Sequence, residues 1–268
     1  MDRIGDYVLL RELGRGVHGR VFLARAPARL GLDVEQVAVK VLAVPGSDTG
    51  FDAVAEELTA YADVGSERLL ELYEVAMEGD TVYYAMRHEP HGSLVVPVRE
   101  ASRRQRLAAV GEAARAAHEL HEAGIVHRAI RPGNVFLGHG SALLSELAVA
   151  HLLSRAHTLT GLGTRGDPRD LEFVDPLLMQ GGEAGRASDI WSLGVTLHAV
   201  LTGGGLYPAL TSADPMVAVR MYLRSQPEPD ADLSDGERAV VVRALQPDPA
   251  DRYETAEALA EDIERVAA

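Results

Sequence analysis

The sequence contains no cysteine, which excludes disulfides, thiolate metal ligands and a cysteine nucleophile. It also has no apolar run near the roughly 20 residues that a membrane-spanning helix requires. The first ten residues lack the basic and apolar regions of a secretory signal peptide. We therefore expect a cytoplasmic location, either for a soluble protein or for the cytoplasmic part of a longer, anchored one.

Positive charge is in the minority, since 26 lysines and arginines face 40 aspartates and glutamates and the formal net charge is −14. Such a charge repels nucleic acid and anionic lipid, so we expect neither nucleic acid nor a membrane as a partner. Lysine is rarer still, because Lys40 is the only lysine in the chain. A planar guanidinium cannot replace a compact ammonium in a close-fitting site, so this exception indicates a site built for lysine.

The apolar pattern divides the 268 residues into a strand-rich first part and a helix-rich remainder. Stretches rich in valine, leucine and tyrosine predict strands at residues 7–13, 21–25, 36–42, 69–76 and 81–87. Helical spacing predicts helices at residues 51–62, 103–123, 188–201, 214–223, 234–245 and 254–266. The prediction is an α+β fold over residues 1–268, with an antiparallel-sheet N-lobe carrying one helix at about 1–89 and a helical C-lobe at about 90–268.

The turn between the first two predicted strands carries the pattern G-x-G-x-x-G-x-V, at Gly14, Gly16, Gly19 and Val21. Glycine there allows the backbone to approach phosphate groups closely, because no Cβ intervenes. The pattern is weak by itself, since an ordinary hairpin turn has the same composition.

Lys40 ends the tetrapeptide V-A-V-K on the third predicted strand, and Glu57 lies on the helix that follows. A lysine ammonium can bridge phosphate oxygens while a nearby glutamate fixes its position. The alternative interpretation of Lys40 is an ordinary solvated lysine at a strand edge.

A third motif, H-R-A-I-R-P-G-N at residues 127–134, resembles the catalytic loop of protein kinases, H-R-D-L-K-P-x-N. Residues 188–194 (S-D-I-W-S-L-G) resemble the central helix of that family, and residues 248–252 (D-P-A-D-R) resemble its late arginine motif. With these motifs in the family's order over nearly the whole chain, the sequence is identified as a member of the protein kinase superfamily. It is most similar to bacterial serine/threonine kinases.

The resemblance implies a bilobal protein-kinase-like fold with ATP bound between the lobes. Met86 matches the gatekeeper, and Val21, Ala38 and Phe136 match the side chains that sandwich the adenine. The positions that the resemblance assigns to nucleotide binding are Gly14, Gly16, Gly19, Val21, Ala38, Lys40, Glu57, Met86, Arg87, Glu89, Asn134 and Phe136.

Two departures from the family concern the chemistry of transfer. Ala129 stands where the family has the aspartate that orients the acceptor hydroxyl and takes its proton. The metal-binding tripeptide D-F-G is replaced by E-L-A at residues 146–148. No aspartate occurs between Asp80 and Asp167, so shifting the alignment restores neither motif. The resemblance therefore implies that no catalytic residue is retained.

The metal site is degenerate at Glu146, Leu147 and Ala148. Glu146 is a carboxylate like the family's aspartate, but its extra methylene misplaces the oxygens for an octahedral ion. We expect Mg²⁺ coordination by Asn134 and Glu146 to be weak or absent. Arg131 replaces the catalytic-loop lysine of the family and keeps its charge but not its shape.

A further departure concerns an ion pair. Leu177 occupies the position of the family glutamate that pairs with the late arginine, here Arg252. We therefore expect Arg252 to pair with Glu172 or Glu183, or to point to solvent.

The expected function is that of a catalytically inactive pseudokinase that binds ATP and acts as a signalling scaffold or regulator through protein contacts. Two alternatives stay open: a weakly active or non-standard phosphoryl or nucleotidyl transferase, and a scaffold with an occluded nucleotide pocket. Thr158, Thr160 and Thr164 lie where active bacterial kinases are phosphorylated, and Arg128 matches an arginine that pairs with such a phosphate. Expected partners are an active serine/threonine kinase or a protein with a forkhead-associated domain.

Overall fold

The structure is a computed structural model that describes residues 2–16, 19–43, 48–95, 101–138, 141–145, 147, 149, 152, 168–208, 210, 212 and 214–268. The described residues form two compact units. The first draws on Met1–Gly65, Leu70–Pro90 and Ala148–Thr158, and the second on Ser66–Leu69, His91–Leu147 and Leu159–Ala268. The chain therefore enters the second unit briefly at Ser66–Leu69 and again at His91–Leu147.

The first unit is an antiparallel sheet of six strands with one helix, α1 (Asp48–Asp63). Its strands are β1 (Arg3–Ile4), β2 (Tyr7–Gly16), β3 (Gly19–Arg25), β4 (Gln36–Leu42), β5 (Leu72–Glu78) and β6 (Thr81–Met86). They pair in the order β1-β2-β3-β4-β6-β5, which makes β4 a central strand. The two-residue β1 was not predicted, because it is too short to show a period.

Both faces of β4 are buried, which explains why its residues after Gln36 are apolar apart from Lys40. Val37 and Val39 pack in a core cluster that contains Tyr7, Tyr83 and Ala85. Alternate residues of β4 point to the opposite face of the sheet, and there the register places Lys40 beside Val21 and Tyr84, and Ala38 beside Met86.

The second unit contains six helices and one hairpin among the residues that the structure describes. The helices are α2 (Arg103–Glu122), α3 (Pro176–Met179), α4 (Arg186–Thr202), α5 (Pro215–Arg224), α6 (Asp235–Ala244) and α7 (Ala256–Ala267), and the hairpin strands are β7 (Val135–Leu137) and β8 (Ala142–Leu144). Nearly every side chain of α4 is buried, so this helix forms the centre of the unit. No helix in the described ranges is long and apolar enough to cross a membrane.

The helices begin at capping residues that the sequence supplies. Ser102 accepts a hydrogen bond from the backbone N–H of Gln105 at 3.3 Å, and the Gln105 side chain accepts one from Ser102 N at 2.8 Å. Ser234 and Glu237 form the same reciprocal pair at the start of α6. These caps explain why the predicted starts of α2 and α6 lie within one residue of the observed ones.

The predicted strand at residues 69–76 begins three residues late, at Leu72. Leu69 instead forms an isolated parallel bridge to Leu144, and Leu144 N donates to Arg68 O at 2.8 Å. The Arg68 guanidinium also binds Glu112 and Glu119 of α2, at 2.8 and 2.9 Å. Residues 66–69 are therefore held by the second unit and cannot extend β5.

Candidate functional site

The glycine pattern lies on the β2–β3 hairpin, where Gly14 pairs with Val21 and Gly16 pairs with Gly19. Gly19 has a φ of +141°, and a Cβ added to it would lie 2.1 Å from the carbonyl oxygen of Val41 on β4. Only glycine fits this position, because the hairpin approaches the next strand so closely. Strand packing alone therefore requires the third glycine of the pattern.

A cluster of charges that the sequence did not reveal joins the two strands of this hairpin. The Glu12 carboxylate accepts hydrogen bonds from Arg15 Nε at 3.1 Å and Arg20 Nε at 3.0 Å. The Arg20 guanidinium also lies over the Phe22 ring, 4.7 Å from its centroid. These hydrogen bonds hold the pKa of Glu12 below its ordinary value, and the one from Arg15 has the largest effect. The hairpin that carries the glycines is thus cross-linked on its exposed side.

Lys40 is 3% exposed on the central strand β4. A solvated strand-edge lysine, the alternative interpretation from the sequence, is wrong. Burial of an ammonium group is costly unless the surroundings compensate for it, so a protein keeps one in such a place for a reason. Glu57, the residue expected to accompany it, lies half-buried on α1.

The other residues assigned to adenine binding in the first unit lie on the Lys40 face of the sheet and just beyond it. Ala38 and Met86 are buried neighbours on β4 and β6. After Met86, Arg87 N donates to Glu71 O at 2.9 Å, and the Arg87 guanidinium pairs with the buried Glu89 carboxylate at 2.7 Å. The segment after β6 is therefore fixed by its own side chains.

The loop at residues 127–134 is held by Asp189 on the first turn of α4. The buried carboxylate accepts hydrogen bonds from the backbone N–H groups of His127 and Arg128, at 2.8 and 2.9 Å, and from His121 Nε2 at 2.8 Å. Arg128 has a φ of +63°, the only positive value for a non-glycine residue in the described part of the chain. A strained backbone of this kind persists only where surrounding contacts impose it, and Asp189 supplies them.

The His127 ring fixes the same loop from inside. Its Nδ1 accepts from Ala129 N at 3.2 Å, and its Nε2 donates to Ser145 O at 2.9 Å. Complete burial lowers the pKa of His127 to about 4. A neutral ring protonated at Nε2 satisfies both contacts, so His127 acts as an uncharged spacer in the loop.

Asn134 closes the loop on Ala129. The Asn134 side-chain amide donates to Ala129 O at 2.7 Å, its backbone N donates to Arg131 O at 2.9 Å, and its carbonyl accepts from Ser145 N at 2.9 Å. None of these contacts involves a side chain at position 129. The loop therefore keeps its shape without an acid at position 129. Phe136 follows on β7 and is half-buried.

Arg131, which replaces the catalytic-loop lysine of the resembling family, faces a carboxylate. Its Nη1 lies 3.2 Å from Oδ1 of Asp170, in the turn Pro168–Phe173, and both side chains are partly exposed. The sequence did not indicate this pair, because Asp170 is distant along the chain and lies in no motif. The Arg131–Asp170 pair places an acid near the loop at residues 127–134, which has Ala129 where the family has an aspartate.

The expectation for Arg252 is wrong. Arg252 forms a buried ion pair with Asp175, with Nη2 3.3 Å from Oδ1. Its remaining N–H groups donate to Gln246 O at 2.7 Å and Ala187 O at 2.8 Å, and the guanidinium lies 5.1 Å from the centroid of the Trp191 ring. The arginine therefore neither reaches solvent nor lacks an acid.

Asp175 pairs with Arg252 in place of the family glutamate, and it also caps the short helix α3, where it accepts from Leu177 N at 3.0 Å. Glu172 is occupied elsewhere, since its Oε2 accepts from Leu206 N at 2.8 Å. Glu183 is exposed. The acid has thus moved two positions towards the N-terminus of the chain, from the family position to Asp175.

Several expected site residues lie outside the described residues, namely Glu146, Ala148, Thr158, Thr160 and Thr164. Leu147, the middle residue of the degenerate tripeptide, is described and buried. Within the described ranges no group of three or more His, Cys, Asp or Glu side chains is arranged to hold a metal ion. Of the two expected metal ligands, the structure therefore describes Asn134 alone.

Comparison with known proteins assigns these features to one family. The model of the protein kinase domain matches residues 7–263. The serine/threonine-protein kinase PknK of Mycobacterium bovis is 30% identical over 266 residues, which cover 96% of this chain and 23% of PknK. PrkC of Bacillus subtilis, also a serine/threonine-protein kinase, is 26% identical over 97% of this chain and 40% of PrkC. The chain thus spans well under half the length of these relatives.

A solved structure supports the same fold. The crystal structure of the PknI kinase domain of Mycobacterium tuberculosis matches with a TM-score of 0.72 and 22% identity, over 98% of this chain and 96% of that domain.

Proposed function

The chain belongs to the protein kinase domain family, and we propose that it is a pseudokinase, a cytoplasmic domain that binds ATP and regulates or recruits other proteins without transferring phosphate. The observation that carries this proposal is Ala129, in a loop whose supporting contacts are otherwise present. Alanine can neither orient an acceptor hydroxyl nor take its proton.

The residues of the first unit support nucleotide binding. Lys40 supplies a buried cation on the same face of the sheet as Ala38 and Met86, which are small or flexible apolar side chains suited to an aromatic base. When bound, ATP would bring the phosphates for which such an ammonium is suited. This fit rests on the chemistry of the side chains.

Thermal shift with ATP tests the nucleotide half of the proposal, in the presence of Mg²⁺ and of EDTA. We expect ATP to stabilise the wild type and not Lys40→Met, and to do so with little dependence on Mg²⁺. Absence of a shift with any nucleotide at millimolar concentration would replace this proposal with the scaffold whose nucleotide pocket is occluded.

Incubation with ATP labelled at the γ- or the α-phosphate tests the inactive half. Removal of a positioned general base typically lowers a rate by about 10²- to 10⁴-fold, and a misplaced metal ligand would lower it further. We therefore expect no incorporation of either label. Label that enters the wild type but not Lys40→Met would contradict inactivity.

A second candidate function, weak or non-standard phosphoryl or nucleotidyl transfer, is favoured by one observation. The Asp170 carboxylate lies 3.2 Å from Arg131 and is partly exposed. It could therefore serve an acceptor hydroxyl in place of the aspartate that the family has at the position of Ala129. If any label is incorporated, Asp170→Asn should abolish it while ATP still stabilises the variant. Transfer that survives Asp170→Asn would show that a group other than Asp170 serves the acceptor.

The proposed partners are an active serine/threonine kinase and a phosphothreonine-reading protein such as one with a forkhead-associated domain. The candidate phosphorylation sites are Thr158, Thr160 and Thr164. The side chain that would pair with the phosphate is Arg128, which is exposed. Incubation with an active bacterial kinase followed by mass spectrometry tests this part. An unmodified segment would remove phosphorylation as the route to a partner.

A further inference from the structure

Helix α5 exposes an apolar stripe. Three of the seven large apolar side chains exposed among the described residues lie on this ten-residue helix: Met216 (60%), Val217 (41%) and Leu223 (38%). At 3.6 residues per turn they fall with Arg220 and Arg224 within an arc of about 120°. The five side chains thus form one continuous surface, about 12 Å long at 1.5 Å per residue, which we call the α5 stripe.

The opposite side of α5 fixes the helix rigidly to the second unit. Ala218 and Tyr222 are buried, and the Tyr222 hydroxyl donates to Val174 O at 2.6 Å. Asp214 caps the helix by accepting from Met216 N at 2.9 Å and Val217 N at 3.1 Å. A partner would therefore meet a helix that is already ordered, which lowers the entropy cost of binding.

The two arginines of the α5 stripe are not neutralised by described acids of the protein. Several arginines elsewhere in the second unit do pair with acids, for example Arg103 with Glu237 at 2.7 Å and Arg186 with Glu122 at 2.9 Å. Neither Arg220 nor Arg224 makes an ion pair or a side-chain hydrogen bond to any residue the structure describes, although the chain has an excess of acids. The α5 stripe is therefore apolar and positively charged on a protein of net charge −14.

This charge restricts what can cover the α5 stripe. A two-fold contact between copies of the chain would place Arg220, at the middle of the stripe, near its own copy, and like charges oppose such a contact. An anionic membrane would attract the two arginines but repel the remaining surface, which is acidic overall. The surface is complementary to an acidic amphipathic segment.

We propose that the α5 stripe is the surface through which this protein recruits its partner, and that the partner supplies an amphipathic helix with apolar residues flanked by aspartate or glutamate. The apolar residues of that helix would pack on Met216, Val217 and Leu223, and its acids would pair with Arg220 and Arg224. The proposal rests on the interaction role given under Proposed function and specifies the partner's chemistry.

A synthetic peptide tests the proposal by fluorescence anisotropy. The probe is a labelled helix of about 18 residues, long enough to be helical, with leucine on one face and glutamate beside it. A scrambled peptide of the same composition, with no apolar face, is the control ligand. We expect the amphipathic peptide to bind the wild type at least about tenfold more tightly than the scrambled one.

Variants of the α5 stripe locate the binding. R220E/R224E and M216E/L223E should each weaken binding of the amphipathic peptide by about tenfold or more. The control R104E/V242E reverses the charge of another arginine without a described ion pair and changes Val242, whose exposure of 41% lies between those of Leu223 and Met216. This variant should bind the peptide like the wild type. Failure of the wild type to distinguish the peptides, or equal binding by all variants, would overturn the proposal.

Two further measurements separate the other outcomes. Sedimentation with phosphatidylserine vesicles that is lost in R220E/R224E would assign the stripe to lipid and contradict a protein partner. Thermal shift with ATP should be the same in R220E/R224E and the wild type. The peptide assay contains no ATP, so its result can be interpreted even if the protein does not bind ATP.

Discussion

The two units of this protein differ in what they retain of the kinase domain. The sheet of the first unit retains a chemical group, the buried ammonium of Lys40, on a strand whose register places it beside Val21. The second unit retains the framework of a catalytic loop, fixed by Asp189 and Asn134, and lacks the acid that the framework would position. Because none of the hydrogen bonds that hold the loop uses the side chain of residue 129, the architecture of the loop and its chemistry can be lost separately.

The largest expected effect comes from breaking the framework of the second unit at its buried ion pair. Asp175→Ala leaves the Arg252 guanidinium buried without its acid and should destabilise the protein by about 3–5 kcal/mol. Urea denaturation followed by circular dichroism measures the change. Asp170→Ala, which removes a partly exposed acid from the same region, should cost less than about 1 kcal/mol. Equal effects of the two variants would contradict the structural role of the buried pair.

Acid should weaken the same framework through His127. The folded-state pKa is about 4 against an ordinary value of 6.5, so between these values the unfolded chain binds a proton that the folded chain does not. Stability is therefore full above pH 6.5 and falls as the pH falls towards 4, by up to about 3 kcal/mol. Urea denaturation across this range should show a steeper loss for the wild type than for His127→Gln. A parallel loss in the two proteins would show that His127 is not the group responsible.

The counterpart in the first unit is Lys40→Met, which removes chemistry and should leave the sheet intact. Glu57, the acid expected to accompany Lys40, is only half-buried and keeps access to water, so the free energy of unfolding should fall by less than the roughly 3–5 kcal/mol expected for Asp175→Ala. ATP affinity, measured by calorimetry, should fall by about tenfold or more, which corresponds to at least about 1.4 kcal/mol. A large loss of folding stability in Lys40→Met without a loss of ATP affinity would contradict this distinction between the two units.

The smallest expected effect is that of returning an acid to the loop. Ala129→Asp adds a side chain at a partly buried position that no framework hydrogen bond uses, so stability should change by less than about 1 kcal/mol. Denaturation compared with Ala129→Leu, a substitution of similar size, provides the measure. A loss of several kcal/mol for both variants would show that the site has closed around alanine and that the framework no longer fits the acid.

Local signals predicted the order of the elements well. The run of apolar residues in β4 and the capping residues Ser102 and Ser234 act over a few residues, and the corresponding elements lie where the sequence indicated. Leu69 shows where this reasoning fails, because its apolar character suits β5 and a bridge to Leu144 equally well. The choice between the two depends on contacts across the second unit that no local pattern contains.

The candidate site was predictable where a motif names a residue and unpredictable where a residue acts through a distant partner. Lys40 and Asn134 were found from motifs. The acids that face Arg252 and Arg131 were not, because Asp175 is recognisable only as a helix cap and Asp170 belongs to no pattern. An ion pair depends on which acid lies close to the arginine in space. The sequence offers several acids within a short segment and does not show which of them does.

The close approach of Gly19 to Val41 has a consequence for any attempt to map ligand contacts by mutagenesis. Replacing Gly19 would disturb the sheet whether or not a ligand is present, so loss of function there would carry no information about binding. Gly14 is the informative position, because a methyl group added to it meets nothing within 4 Å. Of Gly14 and Gly19, an alanine at position 14 is the one that can report on a bound molecule while the protein itself stays unperturbed.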